Sequence, residues 1–380
     1  MSVCNTTQLI YYYWANSFFV MSDKPRIGTH NGTFHADEVL ACAMLRILPE
    51  YTNASIVRTR DLSELSSCSI VVDVGGIFDP QTHRYDHHQR GFDLTFKSFY
   101  NAAKWDIKLS SAGLIYVHFG HRILANITNV GENDPLVSAL FHKACRLYLL
   151  TLIVLQLYDS FIVECDAIDN GIPICDSGTR YPINTSLSCR VSRLNPQWNQ
   201  KADETTCFME ALSMVEKEFN AAVHHYAESW YPAQNIVATA FQHRHRVDPS
   251  GHIMLLDRYC PWATHFHQLE KAEFERNSDK LRPFDISDPV SYLNRPIYCL
   301  YQRDDNSWAV QAISVSDLDH YINRVPFPEP WRGLRDEELS QAIGLTGCIF
   351  VHATGFLGIH KTHQGALQMA QMSLKEAKLL

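Results

Sequence analysis

Arg26-Ile27-Gly28-Thr29-His30-Asn31-Gly32-Thr33-Phe34-His35-Ala36-Asp37-Glu38 reads as a short strand, Arg26 to His30, that runs into a polar loop and then opens a helix. The helix is expected over Asp37 to Leu48, where Pro49 stops it. Its apolar residues cover most of its circumference, so it packs buried against a sheet. Ser55 to Arg58 and Ser69 to Asp73 are two more strands, the second a continuous apolar run of the kind found in parallel sheets covered on both faces. Strand, helix, strand and strand in alternation predict an α/β domain. Ser110 to Leu124 predicts a further helix, with Ser110 or Ser111 as its cap.

Downstream, the apolar run Leu147 to Leu157 is well short of the ~20 residues that a membrane-spanning helix needs, and it is read as a buried helix. From about Gly171 to Trp198 the chain turns polar and is broken by Pro173, Pro182 and Pro196, which marks the way out of the first domain. Thr205 to Tyr226 is helical in pattern. From about Ile236, short strands such as Tyr298 to Tyr301 alternate with loops, Pro326, Pro328 and Pro330 mark one loop, and a helix from Gln364 to Leu379 closes the chain. The basic and aromatic stretch Phe241 to Arg246 is read as solvated surface. The expected division is a tail (1–24), a first domain (25–180), a connecting helical segment (181–235) and a smaller C-terminal α/β domain (236–380).

Composition narrows the function. The chain has 380 residues, enough for two domains, and its 46% hydrophobic content supports a core. A net charge of −8 argues against gripping duplex nucleic acid through a broad basic surface. Nineteen histidines lean towards a metal-dependent enzyme, because imidazole is the commonest metal ligand and proton carrier. The 11 cysteines include no C-x-x-C pair, which favours a reducing compartment over a disulfide framework or zinc ribbon. Leu9 to Val20 is apolar, but no Lys or Arg precedes Lys24, so neither a secretory signal nor a mitochondrial presequence is expected.

Three polar clusters fall where strands should end: His30 to Glu38, Asp73-Val74-Gly75-Gly76, and Asp86-His87-His88. A fourth, Glu164 to Gly171, follows the apolar run. In an open α/β sheet the carboxyl ends of strands are where ligands bind, so the clusters can converge on one crevice. Singly they are weak. Asp73 could merely end a strand in a turn, and Glu38 is read as an acid placed against the helix dipole. Together they offer a mixture of His and Asp that suits Mn²⁺, Co²⁺ or Zn²⁺ better than the all-oxygen shell of Mg²⁺.

Ile27 to His35, Val71 to Gly76, His83 to Arg90, Asp166 to Gly171 and Pro330 to Arg335 resemble the melanocyte proliferating gene (Myg) family, which is similar to the DHH phosphoesterase superfamily. The resemblance runs from about Pro25 to Ala370. It implies a parallel-sheet DHH-type N-terminal domain, a smaller α/β C-terminal domain and an active site in the cleft between them. The implied activity is a metal-dependent 3′-to-5′ RNA exonuclease of mitochondrion and nucleus, with two divalent ions, usually Mn²⁺, and Mg²⁺ or Co²⁺ as substitutes. Single-stranded RNA is the implied partner, a homodimer is admitted and no membrane partner is expected.

The same resemblance implies roles for residues. His30, His35 and Asp37 would be metal ligands, in a first motif one residue longer than the superfamily's and with His35 in place of an Asp. Asp73 would bridge the ions, His87 would be a ligand oriented by Asp86, and His88 would contact the scissile phosphate. The fourth-motif carboxylate is Asp166 or Asp169, with Asp166 preferred. Arg332, Arg335, His360 and Lys361 would bind phosphates, with Trp331 and Phe356 as platforms for bases. The sequence departs from the family at Ala36, where Cys is usual, and over Ala144 to Leu157, which is longer and more apolar than the family's connection into the fourth motif. Two rivals follow: a phosphoesterase for pyrophosphate or short oligonucleotides, and a catalytically impaired metal- or RNA-binding protein.

Overall fold

The structure, a computed structural model, describes residues 24–128, 151–199, 201–276 and 284–380. The chain forms two compact units, one through His224 and one from His225, so the helical segment expected at 181–235 is divided between them. The apolar tail at Leu9 to Val20 lies outside the described residues, as do residues 144–150 of the long apolar run.

The first unit is mixed α/β. Its strands are β1 (Arg26–Thr29), β2 (Ser55–Arg58), β3 (Ile70–Val72), β4 (Phe78–Asp79) and β5 (Arg84–Tyr85), in the order β2-β1-β3-β5-β4. β1 runs parallel to β2 and β3, and β3 runs parallel to β5; β4 is antiparallel to β5 at the edge. β1, β3 and β5 therefore all end on one side of the sheet, which brings the residues after each of them together.

The helices of this unit are α1 (Ala36–Ile47), α2 (Leu62–Ser66), α3 (Ser111–Ile127), α4 (Val163–Asp169), α5 (Leu187–Ser192) and α6 (Glu204–His224). Every residue of α1 from Ala36 to Leu45 is buried, because α1 packs against α3 and α6 as well as β3. Each large aliphatic side chain buried there contributes roughly 1.5–3 kcal/mol. Residues 151–157 are helical, with Ile153, Val154 and Leu157 buried, in keeping with the buried helix expected there. They feed a π-helical turn, Tyr158–Ile162, that leads straight into α4. Among the described residues no helix is long and apolar enough to cross a membrane.

The second unit has strands β6 (Ile253–Leu255), β7 (Tyr298–Gln302), β8 (Trp308–Ala312), β9 (Cys348–Val351) and β10 (Leu357–His360), in the order β6-β7-β8-β10-β9. β6 and β7 are parallel and the other pairs antiparallel. Its helices are α7 (Tyr231–Gln242), α8 (Arg244–Val247), α9 (Ala263–Arg276), α10 (Asp336–Ile343) and α11 (His363–Glu376). Alternation along the strands builds two cores. Ile253, Tyr298, Leu300, Val310 and Ala312 pack with Leu339, Met369 and Leu374 from α10 and α11. Met254, Cys299, Tyr301 and Ala309, on the opposite face, pack with Val237, Phe241 and Phe266 from α7 and α9.

Two helices here, α7 and α9, fall where strands and loops were expected. The basic stretch Phe241 to Arg246 is not all solvated surface: Arg244 is buried, and its Nη1 donates to the Phe241 carbonyl at 2.8 Å. Arg324, also fully buried, pairs with both oxygens of Glu270 at 2.7 and 2.6 Å and donates to the carbonyls of Ser314 and Pro296.

Candidate metal centre

His30 follows β1, Asp73 follows β3, and Asp86-His87-His88 follow β5. His35, Asp37 and Glu38 stand at the start of α1, and Asp169 ends α4. The parallel pairing of the three strands makes these positions meet. Their ligand atoms form three overlapping groups, each within 4.8 Å: His30, His35, Glu38 and Asp73; Asp73, His87 and His88; Asp37, His87 and Asp169. Asp73 joins the first two groups and His87 the last two.

Asp73 occupies the middle. Its Oδ2 lies 3.4 Å from His30 Nε2 and its Oδ1 3.4 Å from His87 Nε2, so its two oxygens face different histidines. Asp73 also has φ of 59°, the left-handed region, which costs an Asp backbone energy and is tolerated where the surroundings fix it. Ser111, in the first turn of α3, donates to Asp73 Oδ1 at 3.1 Å. His30 places Nδ1 3.1 Å from the Asn31 carbonyl and Nε2 3.0 Å from Glu38 Oε1. His87 Nε2 lies 3.1 Å from Asp169 Oδ2.

Buried acids and histidines in this packing shift one another. Burial alone would lower His30, but hydrogen bonds to Asp73 and Glu38 outweigh it and push it up to about 10. His87, likewise buried, is pushed up to about 9 by Asp169 and Asp73. Asp73 is buried too, yet the two histidines hold its carboxyl well below the usual range. Asp37 goes the other way: burial, then the charges of Asp73, Glu38 and Asp169, raise it well above an ordinary carboxyl.

The residues fit a divalent metal. Both oxygens of Asp37 are buried without a donor, and neither ring nitrogen of His87 makes a well-directed hydrogen bond. Orphaned buried carboxylates are costly unless a cation compensates them. The donor set, imidazole nitrogen with carboxylate oxygen, suits Mn²⁺, Co²⁺ or Zn²⁺.

The structure places several expected site residues differently. Asp166, the preferred fourth-motif ligand, is fully buried outside the groups. Its Oδ1 accepts from Ser110 N at 2.9 Å and Ser110 Oγ at 2.7 Å, and its Oδ2 accepts from Tyr158 Oη at 2.9 Å. A Cβ on Gly113 would stand 2.5 Å from that carboxylate, so only glycine admits it. Asp166 thus caps α3, and Asp169, one turn on, is the α4 acid that reaches His87. Asp86 does not orient His87: its Oδ1 meets His88 Nδ1 at 2.7 Å and His88 N at 3.0 Å, while Oδ2 accepts from Gly76 N.

In the second unit, His360 is buried with both nitrogens engaged, Nε2 with the Thr346 carbonyl and Nδ1 accepting from Thr362 N. It therefore supports a turn and has no nitrogen left for a phosphate. Trp331, 6% exposed, belongs to the core and is no platform for bases. Arg332 donates Nε to the Phe327 carbonyl at 2.7 Å, and Arg335 lies over the Phe350 ring. Lys361 is exposed and lines a surface cavity of about 360 Å³ with Thr346, Gly347 and Thr362.

Three participants were missed. Glu38 both caps α1, accepting from His35 N at 2.8 Å, and faces His30. The first role was readable from its spacing to His35 and hid the second. Ser111 was read only as a cap. Asn195 grips the backbone of Phe34 from both sides, donating to its carbonyl at 2.8 Å and accepting from its N–H at 2.9 Å, across a sequence gap that no local pattern reveals.

The family model labelled MYG1_exonuc, described as "Uncharacterised protein family (UPF0160)", matches residues 26–374. The chain is 46% identical over 359 residues to MYG1 exonuclease of Homo sapiens, covering 94% of this chain and 87% of that protein. It is 39% identical over 352 residues to a MYG1 protein of Caenorhabditis elegans, 92% of this chain and 95% of that one. With a MYG1 protein of Saccharomyces cerevisiae it shares 36% identity over 363 residues, again 92% and 95%.

Proposed function

The chain belongs to the MYG1 exonuclease family, and on that premise we propose that it is a metal-dependent 3′-to-5′ RNA exonuclease that works with two divalent ions, Mn²⁺ being the best suited. The observation that carries this reading is the meeting of three strand ends around Asp73, beside the orphaned carboxylate of Asp37. His30, His35, Glu38 and Asp73 would hold one ion, and Asp37, His87, Asp169 and Asp73 the other. When bound, such ions turn a water into a nucleophile and offset the charge developing on the phosphate.

The chain's own residues do the rest. Asp73, fixed by Ser111 and by its own strained backbone, offers one oxygen to each side of the site. His88, whose side chain is 63% exposed, is the imidazole open to substrate. Asp86 Oδ1 accepts a hydrogen bond from its Nδ1–H, which fixes the ring and leaves Nε2, whose N–H in the doubly protonated ring would donate to a phosphate oxygen. Asn195 holds the loop between His30 and His35 in place. The DHH-type arrangement, a second unit that binds the remainder of the strand, and action in mitochondrion and nucleus belong to the same proposal.

Time-resolved degradation of a 5′-labelled single-stranded RNA with Mn²⁺ tests it. The expected result is a ladder shortening from the 3′ end and abolished by chelator. No cleavage of RNA, with release of phosphate from pyrophosphate or of mononucleotides from short oligonucleotides instead, would replace this reading with the small-substrate one.

A further inference from the structure

β9 is the edge strand of the second unit's sheet. Register decides what each of its faces meets. Val351 pairs with Gly358, and Gly358 with Val310, a row that lies on the face covered by α10 and α11. Phe350 pairs with Ile359, and Ile359 with Ala309, so Phe350 points to the opposite face, and His352, two residues on, points with it. α7 and α9 cover that face over β6, β7 and β8, and their core reaches Leu357 but contains no residue of β9.

The uncovered part carries a row of rings. The Arg335 guanidinium lies 4.5 Å over Phe350, Phe350 meets His352 edge to face at 6.0 Å, and His352 meets Phe356 at 4.7 Å. Arg335 is exposed and the three rings are half-buried. The row is held stiffly. Thr354 N donates to His352 Nδ1 at 3.2 Å, which places the neutral ring's proton on Nε2. Gly355, with φ of 75°, seats the turn so tightly that a Cβ would stand 2.8 Å from Arg332 Nε.

We propose that Arg335, Phe350, His352 and Phe356 form a stacking platform for the unpaired bases of single-stranded RNA. Every base has a π-face, so such a platform accepts any sequence, and rigid rings lose little freedom on binding. The charge within the row is the Arg335 guanidinium, which is complementary to a polyanion and already lies over a ring. Three acids, Asp336, Glu337 and Glu338, open α10 next to Arg335. They reduce the long-range attraction, so stacking supplies most of the affinity here and its salt dependence is shallow.

The choice of RNA rests on the exonuclease reading, and the test separates the two. Metal-loaded full-length chain is titrated with a single-stranded 12-nucleotide RNA that carries an internal 2-aminopurine and non-hydrolysable linkages at its 3′ end. Phe350→Leu and Phe356→Leu keep apolar volume and remove the ring. Each is expected to weaken binding about tenfold and to abolish the quenching that stacking gives the wild type, with an unchanged melting temperature. An unchanged Kd and quench in folded variants, or a wild-type preference for duplex of the same length, would overturn the platform. So would a wild-type dimer that Phe350→Leu converts to monomer, since the face would then be covered by a second copy. A wild type that trims RNA while the variants bind normally overturns the platform alone; one that binds through the row and trims nothing overturns the exonuclease alone.

Discussion

Asp86 holds the ring of His88, with Oδ1 2.7 Å from Nδ1, and leaves its neighbour His87 to the buried acids. The two adjacent imidazoles share the group around Asp73 but differ in setting: His88 is open to solvent, and His87 is buried and belongs also to the group with Asp37 and Asp169. His88→Ala is therefore expected to lower kcat more than it weakens metal retention. Asp86→Asn should lower kcat by about 10–100-fold, the usual cost of losing an orienting partner. Turnover and bound Mn²⁺ measured on the same preparations check this, and equal loss of both in His88→Ala would make His88 a ligand.

Asp166 and Asp169 should separate cleanly. Asp169→Asn removes an acid from the metal group and is expected to cut Mn²⁺ affinity at least tenfold with little change in melting temperature. Asp166→Asn leaves a donor where Ser110 N and Tyr158 Oη already donate, and is expected to destabilise the fold by about 1–3 kcal/mol. Gly113→Ala, which drives a methyl into that carboxylate, should act like Asp166→Asn. Calorimetric titration with Mn²⁺ beside thermal melts decides, and the reverse pattern would restore Asp166 as the ligand.

Metal binding should release protons. In the metal-free chain His30 and His87 are pushed up to about 10 and about 9, so both carry a proton at pH 7.5 that a metal ligand must lose. Affinity for Mn²⁺ should therefore rise with pH throughout the range below about 9, and less steeply from there to about 10, above which both protons are already lost. The sign for stability is the opposite. Raised histidines stabilise the metal-free fold fully below their unfolded value, and that contribution is lost as pH passes 9 and then 10. Calorimetry in buffers of different ionisation enthalpy counts the protons, and none released would contradict the site.

In the second unit, Arg324 and Glu270 form a buried, two-pronged ion pair. Glu270→Gln leaves a buried guanidinium without its counter-charge and should cost about 3–5 kcal/mol. Denaturant unfolding measures it, and a loss under about 1 kcal/mol would mean that the Ser314 and Pro296 carbonyls satisfy Arg324 unaided.

Much of this was legible in the sequence, for reasons that can be located. The strands ending at Thr29 and Val72 could be read from the sequence with polar clusters after them, which gave the parallel sheet and the meeting of His30 and Asp73, whereas Arg84–Tyr85 has no apolar run to announce it and Asp86-His87-His88 were picked out by their residue types alone. The choice between Asp166 and Asp169 did not. Three residues apart near the end of one helix, they differ only in what faces them, and Ser110, Gly113 and Tyr158 come from elsewhere in the chain. His360 and Trp331 were misplaced because a histidine that ends a strand and a Trp-Arg pair look alike whether they serve a ligand or the core. The helices α7 and α9 were missed although β6 lies between them in sequence, because the rest of the face they cover, Cys299, Tyr301 and Ala309, comes from strands further along the chain.

The most direct measurement is Asp73→Asn, because asparagine tolerates the left-handed backbone at this position while it removes the charge and replaces one of the two oxygens with an amide NH2 that cannot ligate a metal. Bound Mn²⁺ and nucleotide-resolved RNA trimming are read from one folded preparation beside the wild type. The expected outcome is two ions per wild-type chain, fewer in the variant, and loss of the 3′ ladder with them. A variant that trims RNA at the wild-type rate would show that hydrolysis does not pass through the Asp73 centre.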